Sequence, residues 1–199
     1  MTMAIVFGDT ETALTAARAV NQTHARVRGE GYRAQDPALL MWVHATLVDS
    51  ALVTYETFVQ RLEPSEREAF YQESKVLGRL LGIPDETFPT ELRDFETYVA
   101  EMISTGPVRV GARGLELSKL VLKPRIRLLP GPVMIPFGVV TAGLLPEALR
   151  TQYRLAWGPR RQRAFRMAVA SVPRLVALTP PVLRVWPLPG RSVSLGGTP

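Results

Sequence analysis

Two histidines, His24 and His44, are the residues of this chain whose type and placement are best suited to chemistry. Each falls at helical spacing among apolar residues, in the series Ala13, Ala17, Val20, His24, Val27 and the series Leu40, His44, Leu47, Ala51. A neutral imidazole in such a setting is a common metal ligand. A pair that faces one interior can hold a metal ion or a haem, and the alternative is that each is a hydrogen-bonded core histidine.

Most other catalytic chemistries lack the residues they need. The absence of cysteine excludes disulfides, thiolate nucleophiles and iron–sulfur clusters, and two histidines are too few for a three-histidine zinc site. No phosphate loop, nucleophile elbow or His-Glu-x-x-His motif is present. Asp49 and Ser50 supply raw material for a triad with His44, but their spacing does not place them on its helix face. The sequence therefore names no catalytic residue.

Arginines surround the first histidine in sequence. Arg18, Arg26, Arg28 and Arg33 can pair with carboxylates such as haem propionates, since guanidinium–carboxylate contacts are strong and directional. The alternative is a charged, solvated helix surface. An apolar helical shell around a histidine suits a flat apolar cofactor, because the shell controls solvent access to the iron.

Two helices are needed to position the histidines. Asp9 or Thr10 is a capping residue for the first, and Gly29 is expected to close it in the left-handed conformation. Asp36-Pro37 opens the second, which is apolar enough to predict burial nearly all round. The short connection makes the two helices antiparallel neighbours, so both imidazoles are expected in one layer of the core.

Helical patterns continue along the chain. Ser65 and Glu68 have capping-box spacing, and Gly82-Ile83-Pro84 ends the helix that follows. Further predictions are a helix after Pro89-Thr90, a short helix within 108–122, a loop at 123–132, an apolar kinked segment at 133–145, a short helix from Pro146 and a basic helix at 160–178. No β-hairpin signal is present. The fold class is all-α, a single-domain helical bundle over residues 1–178 with a Pro/Gly-rich tail at 179–199.

Charge is divided unevenly between the two halves of the chain. Residues 1–105 carry a net charge of −7 and residues 106–199 a net charge of +13, which together give the +6 of the whole. The basic second half of the chain predicts binding to an anionic partner. The alternative is that the acidic first half of the same chain packs against it. Arginines alternate with apolar residues as in an interfacial amphipathic helix, at Arg160, Arg161, Arg163, Arg166 and Arg174 against Phe165, Val169 and Val172. No nucleic-acid reading motif accompanies the charge, so nucleic acid is not an expected partner.

The sequence also bears on location. No uninterrupted apolar run of about 18 residues predicts a transmembrane helix, and the N-terminus lacks the basic region of a secretory signal. We expect a cytoplasmic protein, with peripheral membrane contact as a further option.

An ordered set of short motifs resembles the MpaB/rubber-oxygenase family, which includes the latex-clearing proteins, over about residues 4–160. The motifs are Val6-Phe7-Gly8-Asp9, His24-Ala25-Arg26-Val27-Arg28-Gly29, Tyr32-Arg33-Ala34, Asp36-Pro37, Trp42-Val43-His44-Ala45-Thr46-Leu47, Tyr71, Leu81-Gly82-Ile83-Pro84 and Leu144-Leu145-Pro146. The resemblance implies an all-helical haem b protein that uses dioxygen to cleave double bonds in apolar, isoprenoid-like substrates. It also implies His24 as the proximal iron ligand, with His44 as runner-up, and Arg26 and Arg28 as cofactor-binding residues.

One departure from the family pattern concerns the N-terminus. Members of this family usually carry an Arg/Thr motif, which lines the distal side of the haem, before the Phe-Gly-Asp segment. This sequence begins at Met1, just after the expected place of that motif, so we expect either that translation starts upstream of Met1 or that the domain is N-terminally shortened. The alternative function is a non-catalytic helical module that binds an anionic membrane through its basic C-terminal half.

Overall fold

The computed structural model describes residues 5–6, 8–104, 108–122 and 134–180, and most of them are helical. The helices are α1 (Thr10–Arg26), α2 (Pro37–Phe58), α3 (Pro64–Leu80), α4 (Leu92–Ser104), α5 (Ala112–Leu122), α6 (Met134–Leu144), α7 (Glu147–Gln152) and α8 (Pro159–Leu178), with a 3-10 turn at Asp85–Thr87. Two antiparallel two-residue strands, β1 (Arg28–Gly29) and β2 (Tyr32–Arg33), connect α1 to α2. The all-α prediction is confirmed.

The first two helices begin as predicted, but the connection between them differs. The Asp9 carboxylate accepts a hydrogen bond from the Thr12 amide at 2.8 Å, and Asp36 accepts one from the Ala38 amide at 2.9 Å. The prediction that Gly29 closes α1 is wrong, because α1 ends in an extended residue and Gly29 pairs in β1. The positive φ lies instead at Gly31, in the hairpin that the sequence did not predict.

The capping interaction of α3 is shifted by two residues from the prediction. The Glu63 amide donates to the Glu66 carboxylate at 2.8 Å, so the capping box does not involve Ser65. Glu68 instead accepts from the Leu92 amide at 2.9 Å, which ties α3 to the first residue of α4. Gly82, with a φ of 92°, follows the end of α3 as predicted.

The main core lies between α2, α3 and α4. Met41, Tyr71 and Phe95 are its largest fully buried side chains. The Tyr71 hydroxyl donates to the Pro89 carbonyl at 2.6 Å, and the Lys75 ammonium donates to the Thr90 carbonyl at 2.9 Å while lying over the Tyr71 ring. These two bonds hold the segment between α3 and α4 against the core, where an unpaired carbonyl would cost free energy.

A second packing centre joins α6 to α8. Gly143 of α6 lies against the Phe165 ring of α8, and a Cβ at this position would overlap that ring. Phe165, Val169 and Val172 are half-buried, so the apolar face of α8 is partly used inside the protein. The loop predicted at 123–132 and most of the tail predicted at 179–199 lie outside the described residues, and the division into a domain and a tail stays a prediction.

We expect Phe95→Ala to lower the free energy of unfolding by about 3–5 kcal/mol, because it leaves a cavity where the Phe95 ring packs on Tyr71. Urea unfolding followed by circular dichroism measures the change. Phe70→Ala is the matched control, since Phe70 is 38 % exposed and its loss should cost less than about 1 kcal/mol. Equal losses in the two variants would contradict the core described here.

Candidate functional site

His44 is a buried histidine without a hydrogen-bond partner. It lies on the core side of α2 with 2 % of its surface exposed, and its ring meets Phe88 edge-on at a centroid distance of 5.6 Å. Neither of its ring nitrogens is hydrogen-bonded to any residue in the described part of the chain. Burial lowers the pKa of His44 to about 4, so the imidazole is neutral at pH 7. A neutral imidazole with free nitrogens can act as a ligand or as a base.

His24 lies in the last turn of α1 and is half-buried. Its Nδ1 atom is also buried without a partner. Helix α1 packs on α3, where the Asn21 amide donates to the Leu80 carbonyl at 2.9 Å. No hydrogen bond or ring contact joins the two imidazoles in residues 8–104, so their placement in one layer of the core stays a prediction.

The arginines predicted to bind a cofactor are exposed at one end of α1. Arg26 is the last residue of that helix, and Arg28 begins β1, where it is paired with Arg33. No carboxylate of the described residues forms an ion pair with Arg26 or Arg28. The two side chains are therefore available for an anion. Within the same residues, no group of three His, Asp or Glu side chains is arranged to hold a metal ion.

Helix α2 has a large apolar surface that the rest of the protein does not cover. Leu39, Val43 and Leu47 follow one another at four-residue spacing and are 41 %, 56 % and 47 % exposed. The prediction that α2 is buried nearly all round is wrong, because its neighbours cover only the sides that bear His44 and Trp42. Leu47 lies three residues after His44, so the exposed stripe borders the side of the helix that carries His44.

A cleft with a volume of ≈ 280 Å³ lies on another side of α2. We call it the α2/α4 cleft, lined by Trp42, Thr46, Asp49 and Val53 of α2, by Val99 and Ile103 of α4, and by residues of α6 and α7. Trp42 and His44 are separated by about 200° around the helix, at about 100° per residue, so the cleft and His44 lie on opposite sides of α2. Like Asp49, Ser50 lines the cleft. Both residues therefore lie away from the side of α2 that carries His44, as their spacing in the sequence predicted.

Sequence reasoning missed the α2/α4 cleft as a site. Its α2 residues recur at steps of four, three and four from Trp42 to Val53, which places them on one face. That signal was available in the sequence. What the sequence did not contain was the partner surface, because α4 and α6 come from distant parts of the chain.

These features define an all-helical protein with two partnerless imidazoles and a separate apolar cleft, and the comparisons with known proteins identify its family. Residues 1–174 match the family described as ER-bound oxygenase mpaB/B′/rubber oxygenase, catalytic domain, and the chain belongs to this family. It is thus a member of a family of oxygenase catalytic domains. No solved structure matches the chain significantly.

Two mycobacterial proteins are similar to this chain. The uncharacterized protein Mb2261 of Mycobacterium bovis and the uncharacterized protein Rv2237 of Mycobacterium tuberculosis are each 30 % identical to it over 156 residues. The match covers 74 % of this chain and 60 % of each relative. The chain therefore spans less than two thirds of the length of these proteins.

Helix α2 is also long and apolar enough to cross a membrane, the one such helix in the described residues. This criterion considers only the length and composition of its 22 residues, and core helices of soluble proteins can also meet it. Of its most apolar stretch, 28 % is buried inside the protein. No uninterrupted apolar run in the sequence marks this candidate, because His44, Thr46 and Asp49 interrupt it.

We expect the haem-free protein to lose stability as the pH falls below about 6.5. The unfolded state binds a proton on His44 with an ordinary pKa, whereas the folded state binds it only near pH 4. Between pH 7.5 and 5 this difference removes about 2 kcal/mol from the free energy of unfolding. Urea titrations at both pH values measure it.

The matched variants for this measurement are His44→Leu and His24→Gln. His44→Leu should remove about 2 kcal/mol of the pH dependence, while His24→Gln should retain the contribution from His44. An unchanged pH dependence in His44→Leu would show that the imidazole is not held neutral in the fold.

Proposed function

We propose that this chain is a haem-binding oxygenase domain that acts with dioxygen on an apolar, isoprenoid-like or lipid-like substrate. The observation that carries the proposal is that each of its two histidines has a buried ring nitrogen with no hydrogen-bond partner among the described residues. A buried polar atom without a hydrogen bond costs free energy, and a metal bond is one way to satisfy it. Membership of an oxygenase family supports the same conclusion.

The residues present fit haem b in their chemistry. His24 is our first candidate for the iron ligand, because it stands in the His-x-x-Val-x-Gly motif through which the chain resembles its family, and His44 is the second. Arg26 and Arg28 would hold the propionates, since both are exposed and free of ion pairs with the described carboxylates. When bound, the haem would supply the activation of dioxygen.

The chain's own residues would provide binding, orientation and exclusion of water. The exposed stripe of Leu39, Val43 and Leu47 offers an apolar surface beside His44 for a macrocycle or an apolar substrate. The low pKa of His44 keeps its imidazole neutral at pH 7, so one ring nitrogen is unprotonated, which a ligand or a base requires. We do not assign a catalytic residue to the reaction.

Reconstitution of the full chain with haem tests this proposal. We expect a Soret band in the wild-type protein and at least a tenfold weaker haem affinity in His24→Ala, because the iron loses its protein ligand. His44→Ala should weaken binding less. Added imidazole should restore the Soret position in the variant that lacks the ligand, which a purely structural defect would not allow.

Gln22→Ala is the control, since Gln22 is an exposed neighbour on the same helix and should bind haem like the wild type. If both histidine variants kept the wild-type spectrum, or if the wild type gave no Soret band, haem binding would be rejected. If the spectrum followed His44 instead of His24, the assignment of the ligand would be reversed and the proposal retained.

A second candidate function is contact with an anionic membrane. Helix α8 exposes Arg160, Arg163 and Arg166, and Met167 and Leu178 further along the helix are 68 % and 81 % exposed. The apolar residues Phe165, Val169 and Val172 are half-buried, whereas Leu175 and Val176 are also exposed and add to the apolar surface open to a bilayer. Arginines beside exposed apolar groups favour a surface of anionic lipid. This contact is compatible with an enzyme for lipid-like substrates.

Vesicle sedimentation tests the membrane contact. Changing Arg160, Arg163 and Arg166 together to Gln should weaken binding to phosphatidylserine-containing vesicles about a hundredfold, at about 1 kcal/mol per arginine near the surface. The matched control changes three exposed arginines of the first half, Arg18, Arg61 and Arg93, to Gln. Equal weakening in both triple variants, or binding to neutral vesicles as strong as to anionic ones, would reject the assigned surface.

A further inference from the structure

The α2/α4 cleft is an apolar space with a single charged group. Val53, Val99 and Ile103 form apolar walls, and Asp49 is the charged residue among the described residues that line it. No lysine, arginine or histidine of the described chain borders the cleft. Pockets of this composition bind an apolar body and use their few polar groups to orient it.

The charge of Asp49 is not balanced by a partner. No ion pair to Asp49 is formed within the described residues. The nearby cation, Arg67, is engaged by two other carboxylates, with its Nε atom 3.6 Å from a Glu56 oxygen and its guanidinium 2.8 Å from a Glu96 oxygen. The guanidinium of Arg67 therefore contacts two other carboxylates and forms no ion pair with Asp49.

The surroundings of Asp49 change the pKa of its carboxyl group. Burial raises the pKa of this carboxyl, the negative charge of Glu96 raises it further, and Arg67 opposes the shift. A group with a raised pKa is one whose negative charge is unfavourable as it stands. A cation placed in the cleft would stabilise that charge.

Four hydroxyl side chains, those of Thr46, Ser50, Thr54 and Thr141, also line the cleft and can accept a hydrogen bond from an ammonium group. The Thr46 hydroxyl already donates to the Val43 carbonyl at 2.8 Å, so its oxygen has lone pairs to offer and no proton. Trp42 presents an aromatic ring, which attracts a cation to its face. An anionic head would meet Asp49 without any described cation at the wall.

We propose that the α2/α4 cleft binds a small amphiphile with a protonated amine as its head and an unbranched hydrocarbon tail. Asp49 would accept hydrogen bonds from the ammonium, and Val53, Val99 and Ile103 would contact the tail. The volume of ≈ 280 Å³ admits about nine groups the size of a methylene, each comparable to the ≈ 30 Å³ of a liquid water. An alkylamine of eight carbon atoms has about this number of groups.

Isothermal titration calorimetry with n-octylamine, octan-1-ol and octanoate below their micellar concentrations tests the proposal. The wild-type protein should bind octylamine more tightly than octanol and should not bind octanoate measurably. Asp49→Asn should weaken octylamine binding at least tenfold and change octanol binding less than threefold. Asp94→Asn is the matched control, because it removes an exposed carboxylate of α4 outside the cleft and should bind all three like the wild type.

Two further measurements test where octylamine binds and whether the space of the cleft is needed. The indole N–H resonance of Trp42 should shift on titration with octylamine, which locates binding in the cleft. Val53→Phe should reduce octylamine and octanol binding together by filling the space, even where Asp49→Asn is too unstable to be measured. Unchanged octylamine affinity in either cleft variant, a shift at Trp157 in place of Trp42, or equal binding of octanoate would overturn it.

This inference goes beyond the oxygenase activity and is tested without haem. A positive titration with no Soret band would retain the amine site and reject the haem proposal. The reverse outcome would reject the amine site and leave the haem proposal intact.

Discussion

Helix α2 carries apolar residues on every side, and the rest of the described chain covers it unevenly. One side carries Met41, Ala45 and Val48 into the core against α3 and α4, which gives the fold its main hydrophobic stabilisation. A second side forms a wall of the α2/α4 cleft, and a third leaves Leu39, Val43 and Leu47 in contact with solvent. The α2/α4 cleft and the exposed stripe follow from this arrangement, since each lies where α2 lacks a close-packed neighbour.

The free-energy cost of burying an unpaired polar group indicates which buried residue is expected to be functional. Lys75 and Tyr71 are also buried, but each donates a hydrogen bond to a carbonyl of the segment 89–90. His44 has no such bond, and the edge of Phe88 does not replace one. A buried imidazole of this kind is retained at a cost to stability, which is typical of a residue kept for its chemistry.

Local signals in the sequence were sufficient to predict the helices. They did not predict which other elements pack against each helix. Asp9 and Asp36 cap the helices as predicted, because a capping bond involves neighbours two or three residues apart. Gly29 was misassigned because the short hairpin depends on pairing with Tyr32, and the exposure of Val43 depends on which helices happen to cover α2. The oxygenase family was identified from ordered motifs, whereas periodicity alone yielded two inward-facing histidines and no reaction.

The position of the α2/α4 cleft relative to His44 limits the roles that the two sites can share. A helix with its side chains is about 10–12 Å across, and Asp49 and His44 point to opposite sides of α2. A molecule held by Asp49 therefore cannot reach an iron held by His44 without passing around the helix. If His44 were the iron ligand, the cleft would be an accessory site. A molecule bound there would affect the iron only indirectly, through α2. His24 lies on a different helix, so with His24 as the ligand this separation would no longer follow from the geometry of α2.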